Sequence, residues 1–374
     1  MTQEATDMYT IMDYLKWRGD LSLDVCPFNE VDACILARFS YEPFEGIVSE
    51  NLHDFHKIKE VCDALINKPY LHDEVIDQTV DIDFIRLVGT SKRFGEMRIS
   101  GFVNHVDSER QTQFSACLID LDGEQTYYVA YRGTDNTIIG WREDFNMGFE
   151  FPVPAQQMAL DYFESVASAF KDGTFILGGH SKGGNLSIYA ATYCKEIIND
   201  AISDVYNFDG PGFTERIMQT DDFKKIEDRI HTYVPEFSVV GMLLEHLEDY
   251  YVVHSSQSGM MEHETLSWEA GPDGFIYKES VSAGSRFVDQ TFKEWVNGLD
   301  KPQREQFVET VYEVVSSSDA KTIAEFNINR AATLNSMIKA YNHIDEDTKK
   351  GFIGATKKLI ESAGNVIKTS ADKT

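Results

Sequence analysis

The stretch Thr174-Phe175-Ile176-Leu177-Gly178-Gly179-His180-Ser181-Lys182-Gly183-Gly184-Asn185 constrains the fold more than any other part of the chain. It opens with apolar, β-favouring residues, turns through glycines around one hydroxyl, and continues as Leu186-Ser187-Ile188-Tyr189-Ala190-Ala191, which reads as a helix. Strand, tight turn and helix together form the setting of a nucleophile elbow, and Gly179-x-Ser181-x-Gly183 is its pattern. The glycines have a steric reason: strand and helix backbones nearly touch there, so flanking side chains would clash. Such a turn exposes the serine oxygen above the sheet at a helix amino end, which favours the negative charge of an acyl-transfer intermediate. The bland alternative is a glycine-rich turn that only packs tightly. A phosphate loop needs Lys-Ser/Thr after its last glycine, and Gly184-Asn185 stands there instead.

The rest of the chain reads as elements around that turn. Residues 1–75 form a helical amino-terminal region packed on the core, residues 76–285 an α/β core, and residues 286–374 a helical extension. Asp13-Tyr14-Leu15-Lys16-Trp17 begins one helix, Leu21 to Pro27 interrupts, and Glu30 to Phe39 carries an apolar stripe. His53, Asp54 and His56 fall in a polar helix and read as a solvated face rather than a metal site. Met97–Val103, Phe114–Leu121 and Tyr127–Tyr131 read as three strands of an antiparallel meander, with Asp122-Gly123 as a hairpin turn. Residues 155–171 supply a crossover helix to the elbow strand. Val205–Phe208, Ile230–Val234 and Tyr250–Val253 are further strands, so Ser181, Asp209 and Glu236 all arrive at one edge of a mainly parallel sheet, where ligands bind.

A serine needs a base, and the base needs an acid to fix its tautomer. In the α/β-hydrolase order the acid and then the histidine follow the serine. His231 lies near the start of a strand at the wrong sheet edge, His254 directly follows a strand, and His263 sits in a loop with Gly259 for freedom and Trp268 as anchor. His263 is the preferred base. Glu236, which ends the strand two after the nucleophile strand, is the preferred acid, and Asp209 is the alternative. His180 reads as structural. Gly133-Thr134 at the end of the Tyr127–Tyr131 strand can offer a backbone N–H and a hydroxyl to an oxyanion.

The formal charge of −28 argues against nucleic acid as a partner and disfavours general adsorption to anionic membranes. Five cysteines without CxxC spacing suit reduced thiols in a cytoplasm. The start Met1-Thr2-Gln3-Glu4-Ala5 does not read as a secretory signal, and no apolar run reaches membrane-spanning length. Near the carboxyl end, Phe352, Ile353, Leu359, Ile360, Ala363, Val366 and Ile367 form a helical stripe flanked by lysines. A helix docked on the body or on a partner subunit, as in a homo-oligomer, is preferred there to a weak membrane-surface contact. No cofactor or metal is expected.

Tyr131-Arg132-Gly133-Thr134, Trp141 with Asp144, and Gly179-His180-Ser181-Lys182-Gly183-Gly184-Asn185 resemble the core of class 3 lipases. Residues 9–45, the segment Val234 to Leu243, and His263 with Trp268 resemble more closely a bacterial family of uncharacterised α/β-hydrolase-like proteins related to those lipases. The resemblance covers roughly residues 9–270 and implies an α/β-hydrolase fold, Ser181 as nucleophile, His263 as base, and Thr134 with the Lys182 amide as oxyanion hole. The lipases carry Asp where Glu236 stands and Leu where Lys182 stands. Phe145 to Pro154 leaves little room for their lid helix, though Phe149 and Phe151 could guard a small pocket. The expected activity is hydrolysis of a small-molecule acyl ester through an acyl-enzyme. The alternative is a hydrolase-shaped binding or scaffolding protein that works through its helical ends.

Overall fold

A sheet covered on both faces needs strands buried on both sides, and the computed structural model has them at its centre, where residues 112–120, 127–131 and 175–180 are buried throughout. It describes residues 9–69, 71, 78–107, 112–134, 143, 147, 150–244, 246, 249–316 and 330–371. They divide into two compact units. The first takes in Met1–Asn104, Phe114–Gly133 and Gln156–Ser282; the second takes in His105–Gln113, Thr134–Ala155 and Ala283–Thr374.

A nine-stranded sheet organises the first unit. Its strands are β1 (His56–Lys57), β2 (Arg98–Asp107), β3 (Thr112–Asp120), β4 (Thr126–Tyr131), β5 (Thr174–His180), β6 (Ile202–Phe208), β7 (Ile230–Pro235) and β8 (Tyr250–Val253), with β11 (Tyr277–Lys278) at the far edge. A separate two-stranded ribbon pairs β9 (Ala270–Gly271) with β10 (Gly274–Phe275). Strands β4 to β8 run parallel in spatial order, and antiparallel pairs flank them. This is the mainly parallel sheet of an α/β-hydrolase fold. The expected hairpin turn is present: the Gly123 amide donates to Asp120 Oδ1 at 2.8 Å, and Gly123 has φ +75°. The polar helix expected at His53, Asp54 and His56 is corrected: His53 lies in a turn, Asp54 in irregular chain, and His56 opens β1 and pairs with Ile99, because an exposed edge of β2 is available to it.

Helix α1 spans Ile11–Arg18 and α2 spans Glu30–Phe39. Asn29 caps α2 by accepting from the Val31 and Asp32 amides, and Asp32 reaches back to the Asn29 amide, which closes a capping box. Every residue of α2 from Val31 to Phe39 is buried. The Tyr128 hydroxyl of β4 donates to Ala33 O at 2.9 Å, which ties this helix to the sheet. Helices α3 (Ile58–Ile66) and α4 (Gln78–Thr90) pack on each other. Segments far apart in the chain also join: Ile11 N donates to Trp268 O at 3.1 Å, Ala270 N donates to Tyr9 O at 2.9 Å, and Thr10 bridges Glu269. Helix α5 (Pro154–Ala169) makes the crossover into β5, and α6 (Lys182–Tyr193) follows the elbow, buried from Lys182 to Thr192.

Helices α7 (Ala283–Asn297), α8 (Lys301–Ser316), α9 (Arg330–His343) and α10 (Glu346–Ala371) belong to the second unit. Trp295, Leu299 and Ala355 form its core, and Trp295 Nε1 donates to Ala355 O at 2.8 Å. The carboxyl-terminal stripe divides in two. Phe352 and Leu359 turn inward and Val366 is buried, whereas Ile353, Ile360 and Ile367 are exposed. The reason is width: one helix face covers only part of a stripe that broad. Among the described residues, no helix is long and apolar enough to cross a membrane.

Candidate active site

The elbow is built as its glycines demand. Ser181 has φ 58° and ψ −133°, a left-handed conformation that few non-glycine residues adopt. A Cβ at Gly179 would fall 2.5 Å from Tyr131 O and closer still to the Gly183 carbonyl carbon. A Cβ at Gly133 would come within 2.9 Å of the Ser181 Cβ, so the backbone leaving β4 runs directly past the serine. The turn is pinned by the Ser181 amide, which donates to Phe208 O at 2.9 Å. Gly179→Ala is therefore expected to cost about 1–3 kcal/mol in overpacking. A denaturant melt of the variant with an unshifted midpoint would contradict it.

Asp209 directly follows strand β6, has φ +50° and is fully buried. Its Oδ2 lies 2.6 Å from His263 Nδ1, and its Oδ1 accepts from Ser238 Oγ at 2.5 Å. A carboxylate only accepts, so Nδ1 carries the proton and Nε2 of a neutral His263 is left as the basic nitrogen. His263 ends a 3₁₀ turn, Gly259–His263, and its side chain is 31% exposed. The preceding residue secures that turn. Glu262 accepts from Phe237 N at 2.7 Å and Gly259 N at 3.0 Å, and its carbonyl accepts from the indole of fully buried Trp268 at 2.8 Å.

Glu236, the acid preferred on sequence grounds, meets a different histidine. It sits at the end of β7, and its Oε2 lies 3.3 Å from His254 Nε2 and 3.9 Å from Lys278 Nζ. His254 in turn faces Glu269, 3.0 Å away at Nδ1. The sheet order explains the difference. Asp209 leaves β6, the neighbour of the nucleophile strand, whereas Glu236 leaves β7 and is taken up by groups following β8 and in β11. His231 pairs with Asp204 at 2.9 Å, on a different side-chain pair altogether.

Lys182 is the first residue of α6 and its side chain is buried. Thr134 follows Gly133 at the exit of β4, half-buried, and belongs to the second unit. Trp141, Asp144 and Phe149 lie outside the described residues; Phe151 is exposed. Among the described residues, no group of three or more His, Cys, Asp and Glu side chains is placed to hold a metal.

Two supporting residues were not singled out from the sequence. Ser238 holds the second oxygen of Asp209. Asn185, inside the elbow motif, donates to Pro211 O at 2.9 Å and Gly212 O at 3.0 Å, which locks the turn after Asp209 onto α6. The only sequence signal for the latter was the Asp209-Gly210-Pro211-Gly212 turn itself.

Comparison with known proteins follows from this geometry. The family model described as Mbeg1-like matches residues 88–313, more than half of the chain. None of the curated proteins matches. Solved structures similar to this chain include a Rhizomucor miehei lipase propeptide complex, 14% identical over 52% of this chain and 64% of that one, with a TM-score of 0.36. A lipase from Rhizopus microsporus var. chinensis is 15% identical over 55% of this chain and 72% of that one, with a TM-score of 0.33. The Lip2 lipase from Yarrowia lipolytica is 12% identical over 51% and 76%, with a TM-score of 0.30.

Proposed function

The chain belongs to the Mbeg1-like family, and from that membership and the arrangement of Ser181, Asp209 and His263 we propose that it is a serine hydrolase of carboxylic esters or related acyl compounds. The observation that carries the reading is the 2.6 Å contact between Asp209 Oδ2 and His263 Nδ1, made in a chain whose serine is held in a left-handed elbow. His263 Nε2 takes the Ser181 hydroxyl proton as the oxygen attacks the acyl carbonyl. Asp209 keeps the imidazole in the required tautomer and stabilises its cation. The Lys182 amide and Thr134 are the donors proposed for the oxyanion. The imidazolium returns its proton to the leaving group; water, deprotonated by His263, then releases the acid and frees Ser181.

Fluorophosphonate labelling of the full chain, with the adduct located by mass spectrometry, tests this reading. The expected result is one adduct on Ser181, absent in Ser181→Ala and strongly reduced in His263→Ala. A folded, unlabelled wild-type chain would overturn it in favour of a binding protein of hydrolase shape.

A further inference from the structure

His180 precedes the nucleophile, and its side chain reaches the residue proposed as the base. Its Nε2 lies 2.8 Å from the backbone carbonyl of His263, and the two rings lie 4.5 Å apart between centroids. A carbonyl only accepts, so Nε2 carries the proton and donates. In a neutral ring Nδ1 is then an acceptor, and it lies 3.1 Å from the Tyr41 hydroxyl. Tyr41 also reaches the His180 carbonyl, at 3.2 Å.

The next residue along the base loop is held from the same side. Arg38 of α2 donates from Nε to Glu264 Oε1 at 3.1 Å. Arg38 is itself buried, between Glu42 and Asp81, with its guanidinium 5.6 Å from the Tyr41 ring centre. Thus the carbonyl of His263 and the side chain of Glu264 are both bonded to groups that α2 and the turn after it place or brace. His180 is 6% exposed, and burial, with His263 and Arg38 acting in the same direction, holds its imidazole well below the usual histidine range. It therefore stays a neutral donor beside a histidine that must itself gain a proton.

We propose that His180 is a positioning residue: by donating to the His263 carbonyl it sets the base loop relative to the elbow, so that the nucleophile's own strand carries the base. This rests on the hydrolase reading of the same site. A displaced imidazole loses rate steeply, because proton transfer tolerates little error in distance.

Two amide substitutions separate the two ends of the ring. In His180→Asn the amide stands where Nδ1 was, beside Tyr41, and falls short of His263. In His180→Gln it reaches the Nε2 position and can still donate. The first readout does not need activity. The His263 Nδ1 proton, shared with Asp209, gives a far-downfield proton NMR signal, identified by its loss in Asp209→Asn. It is expected to broaden or vanish in His180→Asn and to persist in His180→Gln. The second readout is labelling kinetics. The limiting rate of fluorophosphonate attack falls about 10–100-fold in His180→Asn, with the half-saturating concentration within about twofold and recovery in His180→Gln. An unchanged signal in His180→Asn, or equal losses in both variants, overturns the proposal. A wild-type chain that shows the signal but leaves Ser181 unlabelled counts instead against the hydrolase reading, and the signal still decides the role of His180.

Discussion

On the proposed hydrolase reading, Asp209→Asn is expected to lower both ester hydrolysis and serine labelling by about 10⁴-fold, because an amide at this position favours the wrong imidazole tautomer. Glu236→Gln leaves both close to wild type. The contrast follows from which histidine each carboxylate meets: Asp209 lies 2.6 Å from His263 Nδ1, whereas Glu236 lies 3.3 Å from His254 Nε2. The Asn side chain has the size of Asp and keeps an oxygen for the Ser238 hydroxyl, so the comparison reads chemistry rather than packing. Steady-state rates on a short-chain ester series, with each variant's melting profile alongside, make the measurement. Equal losses in the two variants would remove Asp209 from the proposed triad. A loss confined to Glu236→Gln would restore the acid preferred on sequence grounds.

The largest expected loss of stability lies away from the serine. Arg93→Met is expected to destabilise the chain by about 3–5 kcal/mol, because it leaves a buried carboxylate without its cation. Arg93 and Asp32 both have fully buried side chains. The guanidinium donates to both Asp32 oxygens, and also to Leu21 O at 3.2 Å, Cys26 O at 2.8 Å and Pro27 O at 3.0 Å. It thereby fastens the irregular segment before α2 to the cap of that helix. Burial pushes the Asp32 carboxyl above its usual range, with Arg93 opposing. Denaturant melts of Arg93→Met, of Asp32→Asn and of the double variant give the coupling. The double variant should recover part of the loss, since the orphaned charge is then gone. A single-variant cost under about 1 kcal/mol would mean that water reaches Asp32 and satisfies it.

The elbow was legible because everything it requires is local. Thr174 to Ala191 carry the strand, the glycines and the helix within one short run, and the structure places β5 and α6 there. The strands after it were legible for the same reason, as compact β-branched and aromatic runs. The carboxylate that meets His263 was not, because that pairing depends on long-range placement. Glu236 and Asp209 both end parallel strands, and only the sheet order and the left-handed backbone of Asp209 decide which one meets the histidine. His56 was misread because two-residue strands have no periodicity to detect; only the partner edge at Ile99 makes one. The roles of Tyr41 and Arg38 were equally hidden, since nothing near them in sequence bears on the site they brace.

The joint between residues 9–11 and 268–270 also bears on the order of events during synthesis. Residues 9–11 are made well before the segment they join, and these backbone bonds form only after Trp268 and Ala270 have been added. By then Ser181 and Asp209 have long been made, and His263 arrives just ahead of the residues that close the joint. Contacts of such wide separation slow folding, because the intervening chain must be ordered before they reward it. The stretch of chain that closes this joint is therefore also the one that delivers the histidine. A nascent chain with a finished elbow still lacks its base, and the hydrolase proposed here would be silent until the stretch that carries His263 has been added and folded.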